Sequence, residues 1–401
     1  MSKILGAVEI GTSCSKVLIG EVLADHSLNI VGKASRSNEG MRKGEIVDFR
    51  KAAASVHAAL DEAEKMSGTT VDSIYLAQTG SHLRGAFLRG SANVASADGR
   101  VSEGDLNRAS EEAKRKQTRD GRSYVQHFRL PILLDDRPVD DPIGMIGKKV
   151  DLVYWSIEGD ESAIRMSLDL AYNYGLDVSD LILSSIASAT MVAGPDLRRA
   201  GVLVIDIGAG VTDLVLYRQG NVAYTGVIPV GGDHLTGDLS MGLRVLEPYA
   251  EKLKIEYGKA QGDSTDSKQG IWIIGNKTIG DRSVPHKSIA DIIHVRIVEL
   301  FEIISKELGD VLTDDVLGAG VLLTGGTSRL PGIEQLAGKV FGVPVRKGLF
   351  PTGIGNELAE PEYATVLGLL HYGLEDERIP GEVHATSNRG IIKKIGGLLG
   401  I

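Results

Sequence analysis

The chain has 401 residues, more than one hydrophobic core usually supports, so two or more lobes are expected. Apolar residues make up 42% and charged residues 24%, the balance of an ordinary globular protein. A formal net charge of −9 argues against a nucleic-acid binder, and the single cysteine, Cys14, excludes an intramolecular disulfide.

Residues 1–6 run straight into a strand without the apolar stretch of a signal peptide, and no apolar run reaches the roughly 20 residues of a membrane-spanning helix. A cytoplasmic setting is expected. Residues 8–20 read as a hairpin: an apolar strand carrying Glu9 near its end, a small-residue turn, then a second apolar strand. A third strand is expected at 28–31, a helix at 49–66 with Val56, Ala59, Leu60 and Ala63 on one face, and a strand at 71–76. That order is an α/β signature. Segment 81–156 is richer in Arg, Asp and Ser and reads as a small α+β insert. It holds one helix entered at Ser102, with Asp105 at capping-box spacing, and strands at 125–134 and 149–157. Its charge run at 111–122 is a solvated face. Helices follow at 162–174, closed by Gly175, and at 182–192, stopped by Gly194-Pro195.

Residues 203–217 then repeat the plan of 8–20, with Asp206 as the strand-end acid. Beyond lie a strand at 222–229, the pair Gly231-Gly232, a helix from His234, a polar loop at 262–269 and a long helix at 289–308. A buried strand at 320–324 is broken by Gly325-Gly326-Thr327 and followed by helices at 333–341 and 361–374. A polar linker, 380–388, leads to an amphipathic segment, 389–401.

Phosphates need donors at close range, and tight glycine turns offer backbone N–H groups with no side chain in the way. Gly11, Thr12 and Ser13 in the first hairpin, and Gly208, Gly210 and Thr212 in the second, fit that need. Lys16 adds a point charge. Asp206 and Glu9 suit a Mg2+ held through its water shell, and are the candidate catalytic groups because they position that water. The strand ending in Gly325-Gly326 leaves bare backbone for a base or ribose. Two matching hairpins and a third glycine turn, in this order, imply a two-lobed clamp on a nucleotide polyphosphate. A near P-loop at 270–278 has Asn276 in the lysine position and lies between strand-like runs, so it is set aside.

These motifs resemble those of the actin-like ATPase superfamily, which includes actin, the DnaK-type chaperones and MreB, and within it the FtsA family of bacterial division proteins over the whole chain. Residues 6–21 and 203–217 are similar to the two phosphate motifs, 181–191 and 363–373 to the two connecting helices, and 321–333 to the adenosine motif. Residues 40–48, GMRKGEIVD, are similar to a further segment of that family. The resemblance implies an α/β, actin-like (ribonuclease H-like) two-lobed ATPase fold. Subdomain 1A takes 1–80 and 157–200 and is closed by 361–379. An α+β subdomain 1C at 81–156 stands in place of 1B. Subdomain 2A takes 201–232 and 315–360, and 2B takes 233–314.

The resemblance further implies ATP and Mg2+ as cofactors. Gly231 and Gly232 would line the phosphates, Glu251 and Lys254 would reach the ribose or base, and Gly325, Gly326 and Ser328 would cradle the adenosine. Arg296 and Glu299 match an FtsZ-docking surface, and also have the spacing of an i,i+3 ion pair. The implied partners are FtsZ, further copies of the chain in a polymer, and later divisome proteins through the insert. Two departures point to a slow ATPase acting as an assembly switch. The first connecting helix offers Ser184, Ser185 and Ser188 where actin has a Gln, and Glu9 replaces the common Asp.

In the last segment Ile391, Ile392, Ile395, Leu398 and Leu399 share one stripe, with Arg389, Lys393 and Lys394 as basic groups. A helix over 390–401 spans about 18 Å, short of the ~30 Å bilayer core, so it would lie in an anionic membrane surface on its cytoplasmic side. Gly396, Gly397 and Gly400 each oppose the helix by about 1 kcal/mol. One tail therefore binds weakly, and many tails on a polymer bind by avidity. Two other readings stay open: a PilM-like actin homologue acting as a peptide-binding module in pilus assembly, and a sugar or acetate kinase. The basic tail speaks for the division protein.

Overall fold

The computed structural model describes residues 3–115, 120–262, 270–274, 280–309, 312 and 316–378. Strands β1 (Lys3–Ile10), β2 (Cys14–Val22) and β3 (Leu28–Ser37) form an antiparallel meander. A short hairpin follows, β4 (Met41–Arg42) and β5 (Glu45–Ile46), turned by Lys43 and Gly44 at φ 52° and 74°. Positive φ at both central residues is the type I′ requirement, and it explains the glycine. Helix α1 (Phe49–Ser67) is capped by the Asp48 side chain, which accepts from Lys51 N, and ends at left-handed Gly68. Its buried Ala52, Val56, Ala59, Leu60 and Ala63 recur at helical spacing. Strand β6 (Ser73–Gln78) joins β1 in parallel.

The insert leaves here. It comprises β7 (Arg84–Asn93), α2 (Glu103–Arg115), β8 (Arg122–Arg129), β9 (Ile132–Leu134), β10 (Arg137–Val139) and β11 (Lys149–Asp160). Its sheet runs β10-β9-β11-β7, with β8 also paired to β11. The Ser102 N–H and hydroxyl both donate to Asp105 Oδ2, at 2.8 and 2.7 Å, the reach-back half of a capping box. The chain returns through α3 (Glu161–Tyr172), β12 (Asp177–Leu183), α4 (Ser184–Val192) and α5 (Pro195–Ala200).

The second lobe opens with β13 (Val202–Ile207), β14 (Thr212–Arg218) and β15 (Asn221–Ile228), again an antiparallel meander. Helices α6 (Gly232–Leu243) and α7 (Glu247–Tyr257) precede the ribbon β16 (Gly270–Ile273) and β17 (Arg282–Pro285). Then come α8 (His286–Leu308), β18 (Val321–Thr324), α9 (Ile333–Phe341), β19 (Val345–Lys347) and α10 (Ala364–Arg378). The two main sheets share one plan, β3-β2-β1-β6-β12 and β15-β14-β13-β18-β19: a meander of three strands, then two parallel strands. This is an actin-like α/β architecture carrying an inserted α+β unit.

One core runs from Leu5 to Leu374 and joins the first sheet, α4 and α10 to the inner face of the second sheet at Val202, Val204, Val215 and Leu322; another, from Leu203 to Val343, lies wholly within the second lobe. Helix α10 packs on β1, β2 and β6, and α4 on β13 and β14. Their crossing is close: a Cβ at Gly368 would lie 1.8 Å from the Ala187 carbonyl oxygen.

Several elements differ from expectation. The helix expected at 182–192 begins at Ser184, because the preceding residues complete β12 at the sheet edge. Leu181, Ile182 and Leu183 are buried on both faces, and such a run has no period to tell strand from helix. The strand expected at 125–134 is divided into β8 and β9, and the one at 28–31 extends to Ser37. Strand β7 was not expected, since Arg84, Arg89 and an exposed Phe87 hide its alternation. The polar loop at 262–269 lies almost entirely outside the described residues, and the linker and amphipathic tail, 380–401, lie wholly outside them.

Candidate functional site

The two hairpins are the same object built twice. Gly11 N donates to Cys14 O at 3.0 Å in the first, and Gly208 N to Val211 O at 2.9 Å in the second. Glu9 faces Lys16 across the first pair of strands, and Asp206 faces Asp213 at the equivalent place in the second. The tips meet head-on: a Cβ at Gly210 would sit 2.4 Å from Thr12 Oγ1. Between the hairpins opens a cleft of about 720 Å³, a size suited to a nucleotide.

Glu9, Gly11, Thr12, Ser13 and Lys16 line it from the first lobe. Asp206, Gly208, Gly210, Gly232, Glu251, Lys254, Gly325 and Gly326 line it from the second. Three other candidates stand outside that wall. Thr212 is buried and donates to Val230 O at 2.8 Å, tying β14 to the loop before α6. Gly231 packs on the Gly208 and Ala209 carbonyls, where any Cβ would lie within 2.7 Å of both oxygens. Ser328 is buried and donates to Gly325 O at 2.7 Å, bracing the turn from behind. The Gly232 and Asp233 N–H groups are spent on Gly208 O and Ala209 O, at 3.0 and 2.8 Å. Helix α6 therefore braces the second hairpin and gives no free N–H there.

The electrostatics are unbalanced. Lys16 is 8% exposed and its Nζ lies 3.1 Å from Glu9 Oε2. Burial works to lower its proton affinity, but the charge and hydrogen bond of Glu9, with Cys14 and Asp206 nearby, hold it above an ordinary lysine. Burial, then the Glu9 charge, pushes Asp206 up to about 6, against the hydrogen bonds from Thr365 and Ser188 and the Lys16 charge. Thr365 Oγ1 donates to Asp206 Oδ2 at 2.9 Å from the start of α10. Asp213 is raised well above the carboxylate range by burial and then by Asp206. Lys16 thus answers two carboxylates, Glu9 and Asp206, and Asp213 stands beyond them, facing the negative charges of both. Asp213 also accepts from Thr79 Oγ1 at 2.6 Å, a bond between lobes. Sequence reading passed over Asp213; the signal was the hairpin repeat itself, in which it stands where Lys16 stands in the first copy.

At the far end of the cleft, Lys254 Nζ is 2.7 Å from Glu251 Oε2 and donates to Gly232 O and Thr236 Oγ1 at 3.1 and 3.0 Å. The adenosine-type turn is held by Gly325 N, which donates to Pro361 O at 3.1 Å, and by Thr327 Oγ1, which donates to Gly208 O at 2.9 Å. Gly325 has φ 82°, and a Cβ there would lie 2.3 Å from Asp206 Oδ1, so glycine is required twice over. Arg296 and Glu299 lie on α8, away from the cleft. They are paired at 2.5 Å, and Asp238 of α6 also grips Arg296 with two bonds, 2.6 and 2.9 Å.

Residues 203–368 match the family model "Cell division protein FtsA", and residues 80–154 match "SHS2 domain inserted in FTSA". The cell division protein FtsA of Pseudomonas aeruginosa is 32% identical, the alignment covering 94% of this chain and 90% of that protein. The FtsA of Bacillus subtilis is 31% identical, over 94% and 84% of the two chains. Among solved structures, the PilM–PilN type IV pilus biogenesis complex superposes with TM-score 0.64 at 19% identity, over 92% of this chain and 98% of that one. MreB5 of Spiroplasma citri bound to ADP gives 0.56 at 12%, over 94% and 99%. At such identities the structural likeness speaks for the fold alone.

Proposed function

Since the chain belongs to the FtsA family and is a cell division protein of actin-like fold, we propose that it binds ATP in the interlobe cleft and works as a nucleotide-gated adaptor on the cytoplasmic face of the membrane. One observation carries the nucleotide reading: duplicate glycine turns from opposite lobes meet tip to tip over a cleft of polyphosphate size. Lys16 and the cleft-lining turn residues Thr12, Ser13 and Gly210 supply the anion-binding side. The excess carboxylate of Glu9, Asp206 and Asp213 is the electrostatic setting in which a divalent cation fits. Among the described residues no cluster of three or more His, Cys, Asp or Glu could ligate a metal ion directly, so Mg2+ would keep most of its water, with Asp206 and Glu9 touching that shell. When bound, it would neutralise the phosphate oxygens.

The chain's own residues orient and exclude. Thr365 and Ser188 fix Asp206, Glu9 fixes Lys16, and α4 brings only a serine, Ser184, to the cleft wall. A serine orients water less well than a longer amide, which supports slow turnover and long-lived nucleotide states. On this reading the chain self-assembles, holds FtsZ at the Arg296–Glu299 face, recruits later divisome proteins through the insert, and attaches to anionic lipid through its last residues. Calorimetric titration tests the cleft. Mg-ATP should bind the parent chain, and Asp206→Ala should weaken it at least tenfold. A parent that takes up no adenine nucleotide, or a variant with undiminished affinity, would sink the assignment.

A further inference from the structure

The β4–β5 hairpin sits where four parts of the molecule meet. Gly44 N donates to Thr12 Oγ1, on the tip of the first glycine turn, at 3.1 Å. A Cβ on Gly44 would lie 2.8 Å from Val211 Cγ1, on the second turn, and 3.4 Å from Thr79 Cγ2, where β6 gives way to the insert. Across the short ladder Glu45 Oε1 accepts from Ser81 Oγ at 2.7 Å. Ser81 lies in the turn that leads into β7, the entry strand of the insert. That entry is tied to the exit: Asp160 N donates to His82 Nδ1 at 3.1 Å, and Arg122 Nη2 to His82 O at 2.7 Å. Contacts therefore run without a gap from a phosphate-turn hydroxyl to the root of the insert.

The far side of the insert is seated on the second lobe. Trp155 of β11 is buried, and its Nε1–H donates to Thr225 Oγ1 of β15 at 3.0 Å. Its ring lies 5.8 Å from that of Tyr224 and 4.8 Å from that of Phe87. The insert thus bridges both lobes, and a change in cleft opening must either carry the Trp155 seat along or break it.

We propose that the β4–β5 hairpin links nucleotide occupancy of the cleft to the seating of the insert on the second lobe. The inference rests on the nucleotide reading above and adds its regulation. The Thr12 oxygen accepts from Gly44, which leaves the hydroxyl proton free to donate to a terminal phosphate. With that phosphate present, Thr12 is fixed between two partners and the hairpin is held against both turns. With a diphosphate the second partner is gone, and the hairpin, with Glu45 and Ser81, is free to shift. The two-state element is the Trp155–Thr225 seat, biased through the root of the insert.

The chain has two tryptophans, so Trp272→Phe leaves Trp155 as the sole tryptophan, and excitation at the red edge of its band, where tyrosine does not absorb, isolates its emission. In the full-length Trp272→Phe chain, emission at saturating Mg-ATP should differ from that at saturating Mg-ADP. Ser81→Ala should remove at least four-fifths of that difference while Mg-ATP affinity, measured by calorimetry, stays within twofold. Ser81→Thr, which keeps the hydroxyl, should restore it. A Ser81→Ala chain that responds as fully as its parent overturns the linkage. So does a parent that binds both nucleotides with one emission spectrum. A parent that binds neither overturns the nucleotide reading itself, and the calorimetry tells these outcomes apart.

Discussion

Asp206 shows how one side chain is held at odds with its surroundings. In the folded chain it keeps its proton up to about pH 6, whereas the ordinary carboxyl value is 3.8. Between those values the native state binds more protons than the unfolded one, so stability falls as pH rises. Two units correspond to about 3 kcal/mol, absent below pH 4 and fully felt above pH 6. Without nucleotide, Asp206→Asn should therefore raise the urea midpoint at pH 8, and the gain should fade to nothing by pH 4. A gain persisting at pH 4 would mean packing, not charge, is responsible. The same substitution should damage Mg-ATP binding, a trade of function against stability. Arg296 teaches a second residue-scale lesson. Sequence spacing paired it with Glu299, but Asp238 holds it as well, so the face carries one positive and two negative charges. If it docks FtsZ, Arg296→Glu should abolish co-pelleting with FtsZ polymers and leave lipid binding intact. Loss of both would point to misfolding.

At the scale of elements, the α4–α10 crossing is the most demanding contact. The Ala187 carbonyl occupies the space a Gly368 side chain would need, so Gly368→Ala must push the helices apart. Overpacking of this kind costs about 1–3 kcal/mol, measurable as a lowered urea midpoint, whereas Gly237→Ala, inside α6 with open space around its Cβ and an ordinary φ, should not lower it. An unchanged midpoint for Gly368→Ala would show that the crossing relaxes freely. Elements with a clear period were legible in advance: α1, α8, α9 and both hairpins lie where apolar spacing and glycine breaks put them. Those without one were not. The end of strand β12, Leu181 to Leu183, is apolar on both faces, and β7 carries Arg84 and Arg89 on opposite faces beside an exposed Phe87, so neither shows alternation. In the cleft, glycines and strand-end acids could be read from the chain. Thr365 and Thr327 could not, because contacts between distant segments decide their partners, and Asp213 is signalled only by its place in the hairpin repeat.

For the whole molecule the open question is attachment. No helix among the described residues is long and apolar enough to cross a membrane. A peripheral anchor in the last residues makes a clean forecast. The full chain should pellet with anionic liposomes, more so with Mg-ATP if copies assemble and bind by avidity, while a chain ending at Asn388 should stay in the supernatant. Equal pelleting of both would remove the anchor from the account.

The path of the chain has a further consequence, for synthesis. The second lobe is built from one continuous stretch, and its core closes between Leu203 and Val343. The first lobe is not: its core needs Leu5 and also Leu367, Leu370 and Leu374 from α10. As the polypeptide leaves the ribosome, the later lobe can therefore finish before the earlier one, whose strands must wait, partly uncovered, for a helix made at the end. Nascent molecules that stall before α10 should be the ones that chaperones hold and proteases remove.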